Sequence, residues 1–421
     1  MNLLSSASIF SFFTLISRIL GYVRDILIAI FLGTSISADA FFVAFRLPNT
    51  FRRLFAEGTF NAAFIPSYTS AKIENKQKGK KFADDVFSVL LLTLLIFITI
   101  VEIFTPYLIY IIAPGFINDQ IKLNLAVELI RITFPFLLFV SLSSFFGGIL
   151  NSNNKFAAAA AAPIILNIIL IVSLIISYFL KLNFAKNLSY GVTLAGIVQL
   201  IFLIFVTFKF YKPEFVFNFK FNNKVKLFFQ KLLPSILSSG VTQINILVGT
   251  IIASFQSGAV SYLYYADRIY QINLAIAGIA VSTVSLPVLS KAFKNKSLKK
   301  ISNIQNKSFE LSLLLSVPAS IGIILSAEQI VNALFGYGSF SKNDVAMTAS
   351  ALKYFGYGIP AFALIKVLSN FFFARQNTKT PFYISVFIMS LNIFISISLF
   401  SRIGFIIIPI ATSVSTWIGV I

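Results

Sequence analysis

Charged side chains stand inside the most apolar stretches of this chain, at spacings that a helix turns into stripes. In ISRILGYVRDILIAIFLG (residues 16–33), Ser17, Gly21 and Arg24 follow at intervals of four and three, which sets them on one helical stripe. Arg18 and Asp25, one heptad apart, share the stripe beside it. In DAFFVAFRLPNTFRRLFAEGTFNAAFIP (residues 39–66), Arg46, Asn49, Arg53 and Glu57 keep the same spacing, with Asp39 one heptad earlier. Arg52 lies about 100° round and widens the sector. Pro48 is expected to kink this helix. SYLYYADRIYQI (residues 261–272) carries Asp267 and Arg268, and Arg131, Lys353 and Lys366 stand in other apolar runs.

A cation at the centre of a membrane helix costs roughly 2.5–3.5 kcal/mol. Ion pairs of Arg18 with Asp25, Arg53 with Glu57 and Arg268 with Asp267 would offset part of that. They leave arginines over in the first two helices, whose only acids are Asp25, Asp39 and Glu57. Surplus positive charge lining a cavity asks for an anion. Arginine suits phosphate, because its guanidinium is always charged and can hold two oxygens at once.

The rest of the composition narrows the chemistry. The chain has no cysteine and no histidine, which removes thiolate chemistry, disulfides and the commonest acid–base group and metal ligand. No GxxxxGK[ST] loop is present for a nucleotide, and no cofactor is expected. A membrane enzyme acting on polyprenyl-phosphates is a rival reading, opposed by the absence of a DxD metal pair. Asp84 and Asp85 are adjacent, so they point to different helix faces, and beside a lysine-rich loop they read as a solvated pair. An exporter of cationic drugs would want an acidic cavity. An exporter of a lipid-linked oligosaccharide or polysaccharide is a nearer alternative.

These residues need helices to hold them. Of 421 residues, 57% are hydrophobic and 11% charged, where soluble domains carry about 25% charged residues. The mean hydropathy is +0.89. The chain therefore reads as an all-α polytopic membrane protein. Apolar windows of span length fall near 8–32, 37–66, 85–113, 124–150, 160–180, 187–211, 228–255, 262–290, 306–334, 345–373, 381–401 and 404–421. The first is too long for a signal peptide and is expected to be retained.

Basic residues sort by side. Connections after even-numbered windows carry Lys72, Lys76, Lys78, Lys80, Lys81 and Lys155, the run from Lys209 to Lys231, the run from Lys291 to Lys307, Arg375 and Lys379. Connections after odd-numbered windows hold only Lys122, Lys181, Lys186, Lys342 and Arg402. Positive residues mark the cytoplasmic side, so the N-terminus is expected inside. The net charge of +20 is then explained by anionic headgroups rather than by nucleic acid.

A faint internal echo, FIPSYTSAK (64–72) against SLPVLSKAF (285–293), sets Arg46 opposite Asp267. It fits two six-helix lobes, 1–211 and 228–421, related as repeats around a central cationic cavity. A cytoplasmic connection, 212–227, would join them.

SRILGYVRDILIA, the 39–66 stretch, ITFPFLLFVSLSSFFGGILN and SYLYYADRIYQI together closely resemble the MurJ (MviN) family of lipid II flippases. That family belongs to the multidrug, oligosaccharidyl-lipid and polysaccharide exporters. The resemblance implies transport of an undecaprenyl-pyrophosphate-linked cell-wall precursor, lipid II, from the cytoplasmic to the periplasmic leaflet of the bacterial inner membrane by alternating access. It implies a non-enzymatic, monomeric transporter whose partners are lipid II, anionic lipids and the cell-wall synthesis machinery.

By matching motif positions it places the cavity residues at Ser17, Arg18, Arg24, Asp39, Arg52, Ser261 and Arg268. Arg24, Arg52 and Arg268 would grip the pyrophosphate, with Asp25, Arg46, Arg53 and Glu57 in supporting positions. There are departures. An acidic position after the ADR motif is Gln271, and a proline common just after it is Asn273, so the kink expected in that helix lacks its usual residue. Family members have fourteen spans, so further C-terminal spans are expected beyond this sequence.

Overall fold

The computed structural model describes residues 3–56, 59–216 and 223–421, which are helical nearly throughout and include no strand. Two compact units divide the chain, Met1–Leu32 with Ala40–Gln243, and Gly33–Asp39 with Ile244–Ile421. The short connection after the first helix thus belongs to the second unit.

The first unit contains α1 (Leu3–Leu32), most of α2 (Ile36–Ala56), α3 (Thr59–Glu74), α4 (Lys76–Ile112), α5 (Gln120–Thr133), α6 (Phe136–Ser152), α7 (Phe156–Leu180), α8 (Phe184–Thr207) and the first part of α9 (Asn223–Ala253). Side chains start these helices where the spans begin: Asn75 accepts from Gln77 N–H, Asp119 from Ile121 and Lys122 N–H, and Asn183 from Lys186 N–H. Lys181, in the left-handed region at φ 53°, ends α7. α7 packs on α1 and α8, and α8 packs on α6. The core is aromatic: Phe64 stacks on Phe60 and Tyr68, and meets Phe145 and Phe228.

The second unit contains α10 (Ala259–Leu274), a π turn (Ala275–Ala280), α11 (Val281–Lys294), α12 (Leu298–Phe335), α13 (Lys342–Gly356), α14 (Ile359–Ala374), α15 (Lys379–Ile403) and α16 (Ile407–Val420). Ser341 and Asp344 form a reciprocal capping box at the start of α13. Among the described residues, seven helical stretches are long and apolar enough to cross a membrane. An eighth is made by α13 and α14, bent by 41°.

The expected windows coincide with helices, with three differences. The windows 124–150 and 345–373 each take in two helices, α5 with α6 and α13 with α14, while α2 runs through Pro48 to Ala56. Proline brings no N–H, so α2 lacks one intrahelical hydrogen bond there while its helical turns continue. The missing proline at Asn273 does not leave that span regular, because the π turn follows within two residues. Finally, Asp84 is not solvated.

Asp84 is 4% exposed and lies near the start of α4. It accepts from Tyr211 OH at 2.6 Å and from Glu214 N–H at 3.0 Å. One turn on, Ser88 Oγ accepts from Val216 N–H at 2.9 Å, and Lys80 pairs with Glu214. The stretch after α8 is therefore fastened along α4 within the first unit. Burial, with Asp84 alongside, pushes the Tyr211 hydroxyl far up from its ordinary range, so it stays a donor. Adjacency to lysines suggested water around Asp84, and a segment distant in sequence excludes it.

Candidate anion-binding site

In the first unit, the stripe Ser17–Gly21–Arg24 on α1 faces one side chain, Asn167 of α7. The Asn167 amide donates to Ser17 O at 2.8 Å, and its Oδ1 accepts from Arg24 Nη1 at 2.9 Å. Gly21 lies between these contacts, and a Cβ there would sit 3.7 Å from the Asn167 amide. The small residue thus lets α7 present a polar group to α1 at van der Waals distance.

Arg24 is 5% exposed and Asp25 2%. Arg24 donates to Asp25 Oδ1 from Nη2 at 2.7 Å and from Nε at 3.0 Å, so one carboxylate oxygen receives an edge of the guanidinium. The Phe45 ring of α2 lies 6.0 Å from the guanidinium carbon. The pair made by Asp25 is thus with its neighbour Arg24, where the spacing had suggested Arg18. Adjacent residues on a helix diverge by about 100°, and the long arginine side chain bends back across that angle. Arg18 is exposed, one turn before Tyr22.

On α2, Arg52 donates from Nε to Asn49 Oδ1 at 2.8 Å, one turn back. Arg46 is half-buried on the same helix. Glu57 and the side chain of Arg53 lie outside the described residues.

In the second unit, Asp39 is fully buried and caps α10 from outside that helix. Its Oδ2 accepts from Gly258 N–H at 2.9 Å, and its Oδ1 from Ser261 N–H at 3.0 Å and Ser261 Oγ at 2.6 Å. Gly258 takes φ +76°, where glycine is favoured and has no side chain to cap with. Asp39 supplies the acceptor and places negative charge at the positive end of the helix dipole. The same connection is held twice more. Gly33, at φ +58°, accepts from Tyr265 OH at 3.1 Å, and a Cβ there would meet Ser339 O at 2.3 Å. Thr34 donates to Asp344 Oδ1 at 2.6 Å.

Arg268, nine residues past Ala259, donates from Nη2 to Tyr264 OH at 2.8 Å, with its guanidinium carbon 4.7 Å from the Tyr264 ring centre. Asp267 accepts from Gln271 of the next turn. Each unit therefore carries its own cations on helices that also hold polar anchors. Ser17, Arg24 and Asp25 come together in the first, and Asp39 with Ser261 in the second.

Sequence reasoning missed Asn167, although an asparagine inside LNIILIV was a visible signal, and it missed Tyr264, Thr34 and Asp344. Among the described residues no group of three or more Asp or Glu side chains could hold a metal ion.

Helices of membrane length with cations and amides inside them describe an α-helical membrane protein. Its fold is that of the multidrug, oligosaccharidyl-lipid and polysaccharide superfamily. An inward-facing multidrug resistance MATE transporter of that superfamily aligns with a TM-score of 0.77 at 15% identity, covering 96% of this chain and 92% of the other.

The family model described as "Lipid II flippase MurJ" matches residues 28–421, and the chain belongs to that family. A probable lipid II flippase MurJ of Rickettsia prowazekii (strain Madrid E) is 40% identical over 419 residues, 99% of this chain and 82% of the relative. Its counterpart in Rhizobium tropici is 40% identical over 414 residues, 97% and 78%. A solved lipid II flippase MurJ in an inward closed conformation aligns with a TM-score of 0.86 at 29% identity, covering 98% of this chain and 85% of that one.

Proposed function

We propose that this chain flips lipid II from the cytoplasmic to the periplasmic leaflet of the inner membrane by alternating access, as a transporter rather than an enzyme. The observation that carries this reading is the set of arginines inside membrane helices of a chain that matches the lipid II flippase model over almost its whole length. The N-terminus faces the cytoplasm.

Arg24, Arg52 and Arg268 receive the pyrophosphate, with Arg18, Ser17, Asp39 and Ser261 beside them and Arg46, Arg53 and Glu57 in support. Asp25 and Asn167 keep Arg24 oriented while no anion is present. Removing either charge of a buried pair leaves the other uncompensated, which is why an alanine at Arg24 or Asp25 does more than delete one contact. The saccharide head stays in a polar space and the prenyl chain in lipid. Anionic lipids meet the basic cytoplasmic loops, and the cell-wall synthesis machinery receives the product.

The test is depletion of the protein in its host, with the leaflet distribution of lipid II as the readout. Accumulation in the inner leaflet is expected. An unchanged distribution would sink lipid II as the cargo and leave another lipid-linked saccharide. In the same assay Arg24→Ala and Arg52→Ala should abolish transport at normal membrane levels. Lysine should rescue each only in part, because it keeps the charge and loses the planar fork.

A further inference from the structure

The span that carries Arg268 runs from Ala259 to Lys294 and is not one α-helix: Ala275–Ala280 form a π turn between α10 and α11. A π turn closes on the fifth residue and accommodates one residue more than the α-helix around it.

Both sides of the turn are rotationally fixed. Upstream, α10 is anchored on two faces: Ser261 to Asp39 and, one turn on, Tyr265 OH to Gly33 O at 3.1 Å, with Tyr262 OH beside them to Asp344 Oδ1 at 3.2 Å. Downstream, α11 is fastened to α14 by Asn370, 3% exposed, whose amide donates to Ser282 O at 2.6 Å and Ser285 Oγ at 2.9 Å. Ser282 Oγ donates back to Asn370 Oδ1 at 3.1 Å.

Each residue of an α-helix turns the chain by about 100°. Two anchored faces out of phase by one residue could not both be satisfied by a regular helix. The turn takes up that residue where the neighbours leave room. A Cβ on Gly278 would stand 3.2 Å from Ala363 Cα of α14, so the backbones approach closely there. Ser312 of α12 donates to Ala277 O at 3.3 Å, which occupies a carbonyl in the wider turn. Arg268 lies one heptad after Ser261 and so shares the stripe that Asp39 holds.

We infer that the π turn at Ala275–Ala280, seated by Gly278 and Ser312, is a positioning element for Arg268: it sets the direction of the guanidinium by absorbing the one residue that separates the phases of the α10 and α11 anchors. The inference rests on the proposed role of Arg268 in binding the pyrophosphate. In a regular helix of the same length, with α11 kept on α14, Arg268 would turn about 100° away from its present direction.

The chain has no cysteine, so single cysteines can be read without a background. The experiment introduces one cysteine at a time from Tyr264 to Gln271 and measures reactivity toward a charged, water-soluble thiol reagent in the full-length chain. The scan is run at natural length and after deletion of Ile276, a surface residue inside the turn. A second deletion, of Val284, which is exposed and lies between the Ser282 and Ser285 anchors, serves as contrast.

Removing Ile276 should let the span close as a regular helix with the same phase. The reactivity pattern should stay in register and transport should be retained. Removing Val284 should separate the two anchors and abolish transport. A pattern displaced by one position, or a chain that fails to fold, on deletion of Ile276 would overturn the inference, and so would equal tolerance of both deletions. The reactivity pattern needs no lipid II. A correct pattern in a chain that moves no lipid II would therefore count against the proposed function and not against the turn.

Discussion

The carboxylates of Asp39 and Asp84 are both removed from water; Asp39 accepts from two backbone N–H groups and one hydroxyl, Asp84 from one of each. Each fastens a connecting piece of chain, one in the second unit and one in the first. What they fasten differs. Asp39 sits at the start of α10, where amide groups of a helix end lack intrahelical acceptors and the dipole adds attraction. Asp84 holds the irregular stretch after α8, with no helix end there, close to the lysines at the start of α4. Buried aspartates with similar donors therefore do unequal work: the one at a helix end deep among apolar side chains has no water to replace it.

The largest effect is accordingly expected at Asp39. Asp39→Ala removes hydrogen bonds to a charged acceptor and leaves two amides of α10 without one, a loss of about 3 kcal/mol or more. It should appear as a lower Tm of the purified protein and loss of transport. Asp39→Asn, which keeps one oxygen, should recover part of the Tm. An alanine variant as stable as the parent would show that α10 is capped by something else.

Next in size, Asp84→Asn and Tyr211→Phe should each cost about 1 kcal/mol. Amide hydrogen exchange should speed up at Glu214 and Val216 in both variants, more in Asp84→Asn, while α10 stays protected. Equal effects at Asp39 and Asp84 would remove the distinction between a capped helix and a pinned strap. Smallest is Lys80→Ala. Its pair with Glu214 is exposed, and exposed pairs are screened by water and salt. No change in Tm is expected, and a drop comparable to that of Tyr211→Phe would mean that the strap is held by charge.

How much of this was legible in the sequence depended on the reach of each contact. The stripe Ser17–Gly21–Arg24 could be read because its members lie within two turns of one helix. Its partner could not, since Asn167 is 143 residues beyond Arg24 and a neutral amide among leucines and isoleucines announces no direction. The heptad relation of Asp39 to Arg46 was visible, yet the side chain caps α10, whose Ser261 lies 222 residues on. Asp84 was misread for a related reason: its lysine neighbours are local and its burial is not. The π turn had no local signature at all. AIAGIA offers only small and apolar residues, and the anchors that force the extra residue into a turn lie on α14 and around Gly33.

The contact between Arg24 and Asp25, at 2.7 Å, also has an electrical meaning. A membrane potential does work of about 2.3 kcal/mol per elementary charge per 100 mV on a charge carried across the field. A guanidinium alone on α1 would make any displacement of that helix along the membrane normal sensitive to voltage. With the carboxylate of the next residue against it, the two charges move together and sum to zero. The field can tilt so short a dipole but cannot haul it. The pair therefore adds no net charge to any displacement of α1.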